Sequence, residues 1–160
     1  MKTIKMSKVL IALDYDPSAQ KIAEIGFNLA KSMDAEVFLL HVITEPVYYS
    51  TADYSPIMGF TGFNNGLKQL DNIDDIRDVA SEFLEKTKDY LGDESIKTIL
   101  EEGDFAKAIL SKAKSIHADL IVMGSHSKKW LENILMGSVA EEVLRDSKIP
   151  LFIIPIKKQD

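Results

Sequence analysis

Five short stretches of this chain are almost continuously apolar: Lys8–Leu13, Glu36–Val42, Ile96–Leu100, Leu120–Met123 and Leu151–Ile154. They do not alternate apolar with polar residues, so each predicts a strand covered on both faces, as in a parallel sheet packed between helices. Between the first two, Ala19, Ile22, Ala23, Gly26, Leu29, Ala30 and Met33 recur at the spacing of one helix face. Asp16-Pro17 ahead of them suits an N-cap and a first helical position. Ile73, Ile76, Ala80, Phe83, Leu84 and Leu91 mark a second helix. Phe105, Ile109, Leu110, Ala113 and Ile116, opened by Asp104, mark a third, and Val139, Val143 and Leu144 a fourth. Strand and helix thus alternate to the end of the chain. That order predicts an α/β fold, a five-stranded parallel sheet whose right-handed crossovers put helices on both faces.

One segment breaks the alternation. Pro46 to Gly66 holds three of the eight glycines together with Tyr48, Tyr49, Tyr54, Phe60 and Phe63. Loops longer than about 12–15 residues are usually functional or without fixed structure. This one leaves the C-terminal end of the second strand, the ligand edge of an open parallel sheet. A cover over a site, a mobile loop and a contact with another subunit all account for its aromatics.

Composition narrows the class. A chain of 160 residues fits one domain, residues 1–160, and can bury about two thirds of its unfolded surface. It is 46% apolar and 28% charged, with no stretch near the roughly 18 apolar residues of a membrane span. The opening lysines precede only Val9 to Leu13 before Asp14 interrupts, so no secretory leader is expected and the expected location is cytoplasmic. Without cysteine there is no disulfide or cysteine-ligated zinc. A net charge of −6 argues against a nucleic-acid surface, which shows as an excess of Lys and Arg. Any phosphate must therefore be held locally.

Two Gly-Ser pairs are placed to do so. Gly124-Ser125 follows the fourth strand, where a turn points amide N–H groups out of the sheet, and Gly137-Ser138 opens the fourth helix, whose free amides and dipole favour an anion. Between them Lys128 to Met136 is expected to form a short amphipathic piece, with Trp130, Leu131, Ile134 and Leu135 packing inward and Lys128 and Lys129 free to add positive charge. The same residues have a plainer explanation. Ser138 and Glu141 form a capping-box pattern that satisfies a helix amide without any ligand, and Gly124 suits an ordinary strand-end turn. Asp14 and Asp16 likewise suit caps of the first helix.

The stretch from Gly124 to Ser138 resembles the signature of the universal stress protein family, G-x2-G-x9-G-[ST], found in its ATP-binding members. Gly124 fills the first position, Gly137 and Ser138 the last two, and Ser127 replaces the second glycine. VLIALDYDPSA, LLHV, GDFAKAIL and IPLFIIP resemble other family segments, so the likeness spans the chain. It implies a Rossmann-like, adenine nucleotide alpha-hydrolase-like fold with strand order 3-2-1-4-5, and a ligand where strands one and four part. By the same resemblance Asp14 contacts ribose or adenine and the backbone of Val42 lies against adenine. Gly124, Ser127, Gly137 and Ser138 surround the phosphates of ATP or ADP, Ser125, His126 and Val139 belong to the same cofactor-binding set, and the phosphates carry any Mg²⁺ or Mn²⁺. The departure at Ser127 bears directly on affinity. A Cβ there penalises a positive φ and crowds the phosphate, whereas the hydroxyl offers a donor.

No catalytic constellation emerges. His126 lies between two serines whose side chains point away from it, and His41 and His117 read as structural. Three functions stay open: a stress or signalling protein that binds adenine nucleotide, one that acts through protein contacts alone, and a slow ATP hydrolase. The last strand, bracketed by Pro150 and Pro155, is apolar on both faces. At the sheet edge that the resemblance assigns it, Leu151–Ile154 is expected to pair with a second copy in a homodimer.

Overall fold

The structure, a computed structural model, describes residues 1–14, 17–44, 73–125 and 137–156. The elements run β1 (Lys8–Leu13), α1 (Ala19–Ser32), β2 (Glu36–Ile43), α2 (Ile73–Leu91), β3 (Lys97–Glu102), α3 (Phe105–Ser115), β4 (Leu120–Gly124), α4 (Ser138–Asp146) and β5 (Leu151–Ile154). All strand pairs are parallel, in the order β3-β2-β1-β4-β5. The Pro46–Gly66 segment lies outside the described residues.

Side-chain alternation along the strands sorts the core into two clusters. Val9, Ile11, Leu39, Ile43 and Val122 meet α1 and α2 on one face. Leu10, Phe38, Leu40, Ile121 and Met123 meet α3 and α4 on the other. Continuous apolar runs are thus the mark of the inner strands. The two outer ones differ from expectation: β3 is only half-buried along its length, and β5 exposes Phe152 to 40%. An edge strand has a neighbour on one side only, so its helices cover it incompletely. β3 blunts its edge with charge. Lys97 pairs with Glu36 at 3.0 Å, Glu101 with Lys112 at 2.6 Å, and Glu102 with Arg77.

Helix starts also depart from the sequence reading. α1 begins at Ala19 with Ser18 in the N-cap position, two residues beyond Asp16-Pro17, and the Ile22 N–H donates to Ser18 O at 3.0 Å. α4 is preceded by Gly137, not Ser138; Ser138 is the first helical residue and is exposed, so the capping box does not form. Leu144, expected on the packed face, is 50% exposed, because Ala140 and Val143 take that face. α3 opens as expected, the Asp104 carboxylate accepting from Lys107 N–H at 3.0 Å.

α1 lies unusually close to the sheet. A Cβ on Gly26 would stand 2.9 Å from Ile11 Cδ1 and 3.1 Å from Val122 Cγ1. Only hydrogen at that position lets the helix settle over the seam between β1 and β4.

Candidate functional site

That seam opens at its C-terminal end. β1 and β4 pair from Val9↔Leu120 to Ile11↔Val122 and no further, although β1 continues to Leu13 and β4 to Gly124. On its other side β1 stays paired with β2 as far as Leu13↔His41. The chain connections reverse direction between β1 and β4, so the crevice lies at the switch point where open parallel sheets bind ligands.

Counting on from these registers sets Val42, Asp14 and Ser125 at one level across three adjacent strands. Asp14 is half-buried just beyond β1. Val42, next to last in β2, turns its side chain into the cluster beneath α3. Gly124 ends β4, and a Cβ there would meet Ile22 Cδ1 at 2.5 Å. A side chain there would make Ile22 of α1 shift, so packing favours glycine whether or not a ligand is present.

Ser125 is the junction of the site. Its N–H donates to Ile154 O at 2.9 Å, its Oγ accepts from Ile156 N–H at 2.9 Å, and its carbonyl accepts from Gly137 N–H at 2.8 Å. One buried residue therefore ties the end of β4 to the end of β5 and to the start of α4. Gly137 is itself buried, in an extended conformation with φ −72° and ψ 161°. As a glycine it brings no side-chain oxygen to the helix start. The N–H groups of Ser138, Val139 and Ala140 thus stand in the first turn, where the helix supplies them no acceptor. Val139 is half-buried against the second cluster. His126, Ser127 and the lysines at 128 and 129 lie outside the described residues. Among the described residues no group of three or more His, Asp or Glu side chains can hold a metal ion.

His41 belongs to this edge, although its place in an apolar run marks it only as a core residue. It is fully buried on the α2 side of the sheet, and its Nδ1–H donates to Leu13 O at 2.8 Å. The Phe83 ring meets it edge-on at 5.8 Å between centroids. Burial pushes the imidazole pKa down, against smaller opposing effects of the Leu13 carbonyl and the Asp14 carboxylate. The neutral ring donates from Nδ1, the form that a carbonyl partner requires. Nothing in the sequence signals this bond, since its partners lie 28 residues apart.

The topology and the crevice define the class, a doubly wound parallel α/β protein with its switch point between β1 and β4. Within that class the chain belongs to the universal stress protein family, whose profile matches residues 6–155. It is 32% identical over 155 residues to Universal stress protein MJ0531 of Methanocaldococcus jannaschii, covering 96% of this chain and 84% of that protein. Universal stress protein MJ0577 of the same organism is 31% identical over 160 residues, 97% of this chain and 98% of that protein. The solved structure of MJ0577 matches with a TM-score of 0.68 at 28% identity, covering 98% of this chain and 100% of that one. A universal stress protein solved in complex with cAMP shares the fold, with a TM-score of 0.63 at 17% identity over 95% of this chain and 98% of that one.

Proposed function

We propose that this chain, as a single domain, binds ATP or ADP in the crevice between β1 and β4 and acts in stress response or signalling. The single observation that supports it most is the end of the β1–β4 ladder at Ile11↔Val122, beside a helix opened by a glycine. In this reading Asp14 meets ribose or adenine, and the backbone of Val42 meets adenine. Gly124, Ser125, His126, Ser127, Gly137, Ser138 and Val139 enclose the phosphates. Mg²⁺ or Mn²⁺ arrives on the phosphates and needs no carboxylate cluster. The bound state alters a surface that a protein partner reads, in a cytoplasmic homodimer paired through Leu151–Ile154. The universal stress protein solved in complex with cAMP supports an adenine nucleotide as the ligand.

Calorimetry with millimolar ATP–Mg²⁺ tests the reading directly: saturable heat supports it, and none on folded protein rejects it. Gly137→Val is the matching variant. The backbone at 137 is extended, which valine adopts without strain, so the change acts through bulk at the helix start. Affinity should fall by about tenfold or more, with the circular dichroism spectrum retained.

A second reading, action through protein contacts without nucleotide, is favoured by one observation. Gly124 is accounted for by its packing against Ile22 with no ligand involved. The same titration separates the two.

A further inference from the structure

We propose that His41 is a positioning residue for the nucleotide site: its Nδ1–H holds the Leu13 carbonyl and so sets the direction in which Asp14 leaves β1. This inference rests on the nucleotide reading for its functional consequence, but its structural part stands separately.

Leu13 is the last residue of β1, and the ladder with β4 ends at Ile11, so among the described residues the strand end is paired on the β2 side. His41 stands opposite Leu13 in that register and reaches across to its carbonyl at 2.8 Å. The Leu13 carbonyl and the Asp14 N–H belong to one planar peptide unit. Fixing the oxygen therefore fixes the plane from which the Asp14 side chain departs. The cost of a polar ring here is real, because 1% exposure removes it from water and Phe83 covers it from α2. An aliphatic residue like Leu39 or Ile43 on the same face would pack without that cost. What histidine adds is a rigid donor at this one carbonyl. The Leu13 carbonyl, which can only accept, selects the tautomer that carries the proton on Nδ1.

Two variants separate positioning from packing. His41→Leu keeps an apolar filling and removes the donor, whereas His41→Asn keeps a donor close to the place of Nδ1 and leaves a gap beside Phe83. If His41 only packs, ATP affinity follows stability, and the asparagine variant is the worse of the two. If it positions, the order reverses. His41→Leu should weaken ATP–Mg²⁺ by about tenfold. His41→Asn should bind within about threefold of wild type despite a lower urea midpoint.

The Asp14 amide in ¹H–¹⁵N spectra of nucleotide-free protein gives a readout independent of binding. It should move in His41→Leu and stay near its wild-type position in His41→Asn. An unmoved Asp14 amide in His41→Leu, or affinities that track the urea midpoints, would overturn the proposal. Wild-type protein that takes up no ATP while the amide still moves would reject the nucleotide reading and leave the positioning role standing.

Discussion

Asp119 links two strands by a single carboxylate. Its Oδ2 accepts from Ser7 N–H at 2.8 Å, Lys8 N–H at 3.0 Å and the Ser7 hydroxyl at 3.1 Å, which ties the start of β1 to the residue before β4. The Ser7 amide, more than any other contact, holds the carboxyl below its ordinary value of 3.8. A depressed carboxyl contributes stability that is complete above the unfolded value and is lost as pH falls through the folded one. Asp119→Ala should therefore cost about 1–2 kcal/mol near neutral pH and flatten the loss of stability below about pH 4, as followed by urea unfolding at several pH values. His117 works in the opposite direction. It follows α3 with φ 57°, a left-handed conformation that a Cβ disfavours, and its N–H donates to Lys114 O. His117→Gly should raise stability by about 0.5–1 kcal/mol, read as a higher melting temperature; a decrease would show that the side chain makes a contact worth more than the strain.

At the scale of elements, the approach of α1 to the sheet shapes the crevice, because this helix sets both Gly26 and Gly124 against side chains. Gly26→Ala gains about 1 kcal/mol of helix propensity but drives a methyl into Ile11 and Val122, both completely buried. Overpacking of this kind costs about 1–3 kcal/mol, so the net change should be destabilising. Ile11→Val removes the nearest atom. Its own cost should be smaller in the Gly26→Ala background than in wild type, a coupling that a double-mutant cycle of urea midpoints measures. Independent costs that simply add would mean that α1 lifts away as a body.

For the whole molecule, the open question is what meets the β5 edge. Phe152 is 40% exposed on the same face as Ile154, on a strand with a sheet neighbour on one side only. A short apolar edge flanked by Pro150 and Pro155 suits one closed twofold contact better than an extended array. Light scattering of the intact protein should give a mass near twice 17.9 kDa, and Phe152→Lys should halve it while leaving the fold intact, since the side chain is not part of the core. A wild-type monomer at tens of micromolar would remove the dimer as the resting state. In such a dimer Ser125 would link the contact to the proposed nucleotide site, because its hydrogen bonds to Ile154, Ile156 and Gly137 join the end of β5 to the start of α4.

The sequence by itself determined the element order and the bounds of β1 and β5, because both rest on local periodicity: unbroken apolar runs for strands, a 3.6-residue spacing for helices. It also carried the family, through the spacing of Gly124, Gly137 and Ser138, and with the family the strand order. Tertiary structure decided the rest. β3 is expected, like β2, to be covered on both faces, yet it is half-buried because it ends the sheet, and within Lys97–Glu102 the charged Lys97, Glu101 and Glu102 are the local mark of that position. The capping-box pattern at Ser138 is sound as local chemistry, but Gly137 takes the N-cap place, held there by the carbonyl of Ser125. Gly124 reads as a turn or phosphate glycine until Ile22 is seen beside it. The bond from His41 to Leu13 follows from register alone, since a one-residue slip of β2 would turn the imidazole to the opposite face. Periodicity is written in neighbouring residues, whereas which atoms meet across strands and helices is fixed only when the whole sheet closes on its two layers of helices.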